Sequence, residues 1–363
     1  MNPVDPALFE ENERTSSAGD GRQYAHVGEL DCRAGGYLQS VTVAYETFGQ
    51  LNSDRSNAVL VCHALSGDSH CIGWWSRLIG PGKAIDTDKL FVIGTNALGG
   101  CQGTTGPASI APDGKPYRTR FPLILVEDMV EVQARLLDHL GIEKLLMVCG
   151  GSMGGMQALE WTVQQPSRVR SAWITASCAA HNAKQIGFNE ASRQAIMRDP
   201  KWNEGLYAEE DGPVDGLAVA RMIGHLSFLS EAAFRLKFGR QLQDKEAPDY
   251  HLKTEFAVES YLNYQGDKFT KRFDANSLIY LTKAIDYYEC ESLAGSHSDY
   301  LFTSFSTDWL YAPEQSEHLH QLARAAGLRS SHEIIDSPLG HDAFLLDGDI
   351  QGALVRKFLE CTF

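Results

Sequence analysis

One serine stands among four glycines where an apolar run ends: residues 145–157 read LLMVCGGSMGGMQ. Gly150, Ser152 and Gly154 have the Gly-x-Ser-x-Gly spacing of a nucleophile elbow, in which a serine occupies a strained strand-to-helix turn and glycines spare the neighbouring backbone a collision. In a chain with 33 glycines that spacing alone is weak, because a turn that cradles a phosphate or merely packs has the same composition. Context adds to it. The strand-like KLLMVCG precedes the serine, and the helical MGGMQALEWTVQQ follows it.

A serine hydroxyl attacks poorly until a base takes its proton, and the base needs a carboxylate to orient it. Partners in the order Ser, Asp, His, each in a loop after a later strand, would complete the set. Asp308 follows the strand-like DYLFTSFS, and His341 follows the strand-like SHEIID. Plainer roles exist for both: a cap ahead of the helical stretch 313–327 for Asp308, and a surface loop for His341. His318 and His320 lie on that helical stretch and fit worse. Two N–H donors are needed for a developing oxyanion. Met153, next after the serine, supplies one, and the loop CHALSGDSH supplies the other from Leu65 or Ser66. His63 in that loop is expected to be structural, since one base suffices.

Such groups need a rigid frame. Runs 37–49, 57–65, 89–98, 144–150 and 169–177 read as strands, and residues 126–141 have apolar positions at helical spacing with a glycine stop. Strands separated by helices imply an α/β protein with a mostly parallel sheet covered on both faces. Between residues 179 and 298 the pattern turns helical, before strand and helix alternate again. The expected organisation is a sheet domain of residues 1–178 and 299–363, split by a helical cap of residues 179–298.

A length of 363 residues suits two domains or one large domain with an insertion. The formal net charge of −15 argues against a sequence-independent grip on nucleic acid, which depends on Lys and Arg meeting phosphates. The start, MNPVDPALFEENERTSS, has acidic residues where a leader needs basic ones, and no apolar run reaches a membrane span, so a cytoplasmic protein without membrane association is expected. The eight cysteines contain no Cys-x-x-Cys pair, so neither a metal site nor a disulfide framework is expected.

Taken together, HALSGDSH, residues 73–109, GGSMGGMQALEW, GLAVARMIGHLSFLSEAAFRLKFGRQ, FDANSLIYLTKAIDYYE and SPLGHDAFL make the chain resemble the homoserine O-acyltransferases of the α/β-hydrolase fold. The resemblance runs over most of the chain from about residue 37. It implies acyl transfer from acyl-coenzyme A to the hydroxyl of L-homoserine, with no bound cofactor. It also implies roles: Ser152 as nucleophile, His341 as base, Asp308 as its orienting partner, Arg221 and Asp342 as binders of the amino acid. Without the family, Arg221 on a cap helix reads as a solvated or salt-bridged residue.

Relatives that use succinyl-coenzyme A commonly carry an arginine two residues after the catalytic aspartate. Leu310 stands there, and a leucine cannot compensate a carboxylate, so acetyl-coenzyme A is the expected donor. A succinyl donor, a serine acceptor, an ester or thioester hydrolase and a catalytically inert binding protein are the alternatives. The loop HALSGDSHCIGWW is shorter than in many relatives. Relatives are homodimers joined through their caps, and SFLSEAAFRLKFGR offers apolar surface for that contact, although packing inside the cap explains it equally well.

Overall fold

A computed structural model describes residues 21–362. The first residues, on which the expectation about a leader rests, lie outside the described residues. Eight strands form the main sheet: β1 (Gln23–His26), β2 (Thr42–Phe48), β3 (Ala58–Cys62), β4 (Phe91–Thr95), β5 (Met147–Gly151), β6 (Ser171–Thr175), β7 (Asp299–Phe305) and β8 (Ser330–Ile335). Their order is β1-β2-β4-β3-β5-β6-β7-β8. Only β2 runs against the others. The central strands β3, β5 and β6 are buried along their whole length, as their continuous apolar runs require of a sheet covered on both faces.

Helices of seven residues or more follow in two groups. α1 (Val126–His139), α2 (Met153–Gln164), α8 (Pro313–Ala325) and α9 (Gly348–Thr362) alternate with the strands, while α3 (Ala183–Met197), α4 (Val214–Phe228), α5 (Glu231–Lys237), α6 (Ala257–Thr270) and α7 (Ala275–Tyr287) come together between β6 and β7. Within the helical stretch, where the apolar pattern of residues 215–242 has no interruption, the chain breaks between α4 and α5 with a bend of 105°. Hydrogen bonds at residues 229 and 230 hold the break. The Ser230 hydroxyl accepts from the Ala233 N–H at 3.0 Å and so starts a new helix, while the Trp309 indole donates to the Leu229 carbonyl at 3.0 Å. Among the described residues no single helix is long and apolar enough to cross a membrane.

Register decides where chemistry can gather. Cys62 pairs with Thr95 and Gly150, Gly151 with Thr175, Thr175 with Thr303, and Phe305 with Ile335, so these strands end along one edge. Ligands of open α/β sheets bind beyond the carboxyl ends of the strands. The loops that carry His63, Ser152, Asp308 and His341 all leave from that edge.

Candidate active site

Ser152 links β5 to α2 with φ 57° and ψ −125°, a backbone conformation that few side-chain-bearing residues adopt. Contacts on both sides hold it there. Its N–H donates to the Thr175 and Ala176 carbonyls, each at 3.2 Å, and its carbonyl accepts from the Ser177 hydroxyl at 2.9 Å. A Cβ at Gly150 would lie 2.3 Å from the Gly154 carbonyl oxygen, and one at Gly154 would lie 2.1 Å from the Cys62 carbonyl oxygen. Both glycines are therefore required by the approach of α2 to β3 and β5, and the sharp turn puts the serine side chain at the sheet edge.

Asp308 sits three residues beyond β7, buried, with both oxygens engaged. Oδ1 accepts from the Leu310 and Tyr311 N–H groups at 3.0 and 2.8 Å, and Oδ2 lies 2.7 Å from Nδ1 of His341. With Oδ1 taken up by the backbone donors, Oδ2 is left to accept a proton-bearing Nδ1 of His341, an arrangement that leaves Nε2 as the basic nitrogen. His341 is 3% exposed, and it lines one large cavity together with Ser152. The aspartate does not cap α8, whose N-cap position is Ala312; it holds the turn at Leu310 and Tyr311 with one oxygen and orients the imidazole with the other.

Met153 opens α2, where first-turn N–H groups have no intrahelical acceptor. Leu65 lines the cavity from the loop after β3. Two arginines from the segment between β6 and β7 brace that loop: Arg272 donates to the Ser66 carbonyl, and Arg221 to the Ser66 hydroxyl at 3.3 Å. His63 is held by backbone at both ring nitrogens, Nδ1 lying 2.7 Å from the Ala64 carbonyl and Nε2 accepting from the Ala97 N–H at 2.9 Å. Burial lowers its pKa and keeps it neutral.

Arg221 reaches the cavity from α4, its guanidinium lying over the ring of Phe269 at 4.7 Å, with Nε buried and without a partner. Burial, and then the nearby Arg272, lower its pKa to about 10, so it stays charged at neutral pH. Asp342 lines the same cavity. Burial raises its pKa, against the opposing pull of His341 and Arg221. The cavity thus holds a cation and a carboxyl group beside the Ser152 hydroxyl.

Residues missed in the sequence complete the walls. Tyr311 stacks on the His341 ring with centroids 4.8 Å apart, and His225 of α4 presents to the cavity a buried Nε2 that has no partner. Nothing in their spacing marks them, because they come from a loop and a helix face that meet only in the folded chain. Burial pushes the thiols of Cys62, Cys71 and Cys149 upward, which makes them inert at neutral pH. Asp249, His251 and Glu255 lie close enough together to suggest an ion, but the Lys245 ammonium already bridges Asp249 and Glu255 at 3.0 and 2.9 Å.

A mostly parallel sheet, a serine on a strained turn after its central strand, and a histidine–aspartate pair beyond later strands define an enzyme of the α/β-hydrolase fold. A family model for that fold matches residues 57–348. Homoserine O-acetyltransferase of Methanococcus vannielii is 49% identical over 356 residues, which are 93% of this chain and 72% of that protein. The crystal structure of homoserine O-acetyltransferase from Bacillus anthracis superposes with a TM-score of 0.87 at 28% identity, covering 93% of this chain and 97% of that one. Esterase E22 superposes with a TM-score of 0.86 at 31% identity, covering 93% and 99%. The chain belongs to the α/β-hydrolase-fold family and, within it, to the homoserine O-acetyltransferases.

Proposed function

We propose that the protein transfers an acetyl group from acetyl-coenzyme A to the side-chain hydroxyl of L-homoserine through an acetyl-serine intermediate. The observation that carries this reading is the 2.7 Å Asp308–His341 pair, facing one cavity with Ser152, Arg221 and Asp342. His341 Nε2 takes the Ser152 proton as Oγ attacks the thioester carbonyl. The Met153 and Leu65 amides receive the oxyanion, and the tetrahedral intermediate collapses with the thiol leaving on the proton from His341. Homoserine then binds, its carboxylate on Arg221 and its ammonium on Asp342. His341 takes the proton of its hydroxyl, the oxygen attacks the acetyl-serine, and the proton returns to Ser152 Oγ as O-acetylhomoserine departs.

Leu310 lines the cavity beside this centre, and an apolar wall suits an acetyl group better than the second carboxylate of a succinyl group. The cap shields the acetyl-serine from water, a competing acceptor. A homodimer joined through the caps and a cytoplasmic location belong to the same proposal. Purified protein given acetyl-coenzyme A and homoserine should release thiol in step with O-acetylhomoserine, and Ser152→Ala should release none. Thiol release by Ser152→Ala equal to that of the unaltered protein would refute the assignment. The likeness to an esterase favours hydrolysis as the second reading. Free acetate accumulating at a rate independent of homoserine would select it.

A further inference from the structure

The cavity holds a second histidine–carboxylate pair that the triad does not use. His181 Nδ1 lies 3.0 Å from Asp286 Oδ1, and Nε2 lies 2.7 Å from the Tyr311 hydroxyl. Asp286 is fixed in turn, accepting from Asn189 Nδ2 on Oδ1 and from the Arg193 guanidinium on Oδ2, each at 2.7 Å. Burial alone would raise its pKa, but the hydrogen bonds from His181, Asn189 and Arg193 outweigh burial and hold it below the ordinary range. An ionised Asp286 sets the His181 tautomer. Nδ1 carries the proton and donates to the carboxylate, and Nε2 accepts from the Tyr311 hydroxyl.

The far end of this chain opens on the cavity that Ser152 also lines. The Tyr311 ring stacks there on His341 at an interplanar angle of 19°. Burial pushes the phenol well above its ordinary range, so it keeps its proton wherever the enzyme could work. Two relays, Asp308–His341 and Asp286–His181–Tyr311, therefore meet in the wall of the cavity that Ser152 lines, Asp286 coming from α7, His181 from the loop before α3, and Asp308, Tyr311 and His341 from the loops after β7 and β8.

We propose that Tyr311 is a further catalytic residue, donating a hydrogen bond to Ser152 Oγ whenever that oxygen carries negative charge, with His181 and Asp286 as its positioning residues. The proposal rests on the reading of Ser152 as nucleophile. Charge gathers on Oγ twice, as it attacks the donor and again as it leaves the acetyl ester. At both moments the phenolic hydrogen turns from His181 Nε2 to Oγ, because a hydrogen bond to an ionised acceptor is about twice as strong as a neutral one. No proton changes owner in that turn. When the charge has passed into the ester or back to the hydroxyl, the hydrogen returns to His181.

Acylation by p-nitrophenyl acetate tests this without either natural substrate, since it needs only the attack of Ser152 and the departure of p-nitrophenolate. Tyr311→Phe keeps the ring on His341 and removes only the hydroxyl. Its acylation rate should fall about tenfold or more, with KM within about twofold of the unaltered protein. His181→Asn should also slow acylation, yet add nothing in the Tyr311→Phe background, because it acts through the phenol. Full-rate acylation by Tyr311→Phe, a loss confined to KM, or an undiminished effect of His181→Asn in the double variant would overturn the proposal. Ser152→Ala separates the two readings. A burst from that variant sinks the nucleophile assignment itself, whereas a silent Ser152→Ala beside a fast Tyr311→Phe sinks only the role of Tyr311.

Discussion

The Asp308 carboxylate shows how a single side chain settles the protonation of another. Its Oδ1 is held by two backbone N–H groups, so only Oδ2 can face His341. In Asp308→Asn those same donors would keep the amide oxygen in place and turn the NH2 toward Nδ1. The imidazole would then accept on Nδ1 and carry its proton on Nε2, where it cannot take one from serine. We expect kcat to fall roughly a thousandfold or more with little change in folding, measured by thiol release and by thermal denaturation. Retention of more than about a tenth of the activity would contradict the tautomer argument. The two serine neighbours, His341 and Tyr311, differ in a related way: one is placed to move a proton, the other keeps its own.

Elements position these side chains through a few joints. α2 approaches the sheet so closely that Gly150 and Gly154 leave no space for a Cβ, and the strained Ser152 backbone is the consequence. On the other side, the short α5 is joined to the loop that carries His341. Ser230 caps α5 and donates its hydroxyl hydrogen to the Pro338 carbonyl, and a Cβ at Gly340 would meet the Ser230 backbone nitrogen at 2.5 Å. Ser230→Ala would lose both the cap and the tie. It should lower stability by about 1–2 kcal/mol, read by denaturant unfolding, and lower kcat several-fold while KM for acetyl-coenzyme A changes less. Unchanged kcat beside lowered stability would mean that the tie serves only the helix. The break at residues 229–230 was not legible in the apolar pattern, because the periodicity continues through it and the causes, Trp309 and Pro338, lie far along the chain.

At the scale of the molecule, the helices between β6 and β7 carry apolar side chains that the chain itself does not cover. Leu226 and Leu236 are 46% and 53% exposed, on α4 and α5. Exposed apolar surface of this kind is stabilised by association. With a chain of 40.0 kDa, the proposed cap-to-cap dimer should sediment at about 80 kDa, and Leu226→Glu combined with Leu236→Glu should halve that mass. A unaltered protein sedimenting as a monomer at micromolar concentration would rule the dimer out. Both positions lie outside the Ser152 cavity, so the monomeric variant also asks whether the cap holds its place without a partner.

What the sequence by itself determined is local in origin. The α/β class followed from the alternation of buried strands and amphipathic helices, the turn at Ser152 from its glycines, and the loops of Asp308 and His341 from the strands before them. Family likeness added the chemistry. The tertiary structure alone decided which groups touch: that Oδ2 of Asp308, rather than Oδ1, faces His341, that Arg221 and Arg272 brace the Ser66 loop, and that Tyr311 joins His181 and Asp286 in the wall of the cavity beside His341. Those contacts join residues separated by many turns of chain, and no periodicity or propensity encodes a distance between elements that only packing brings together.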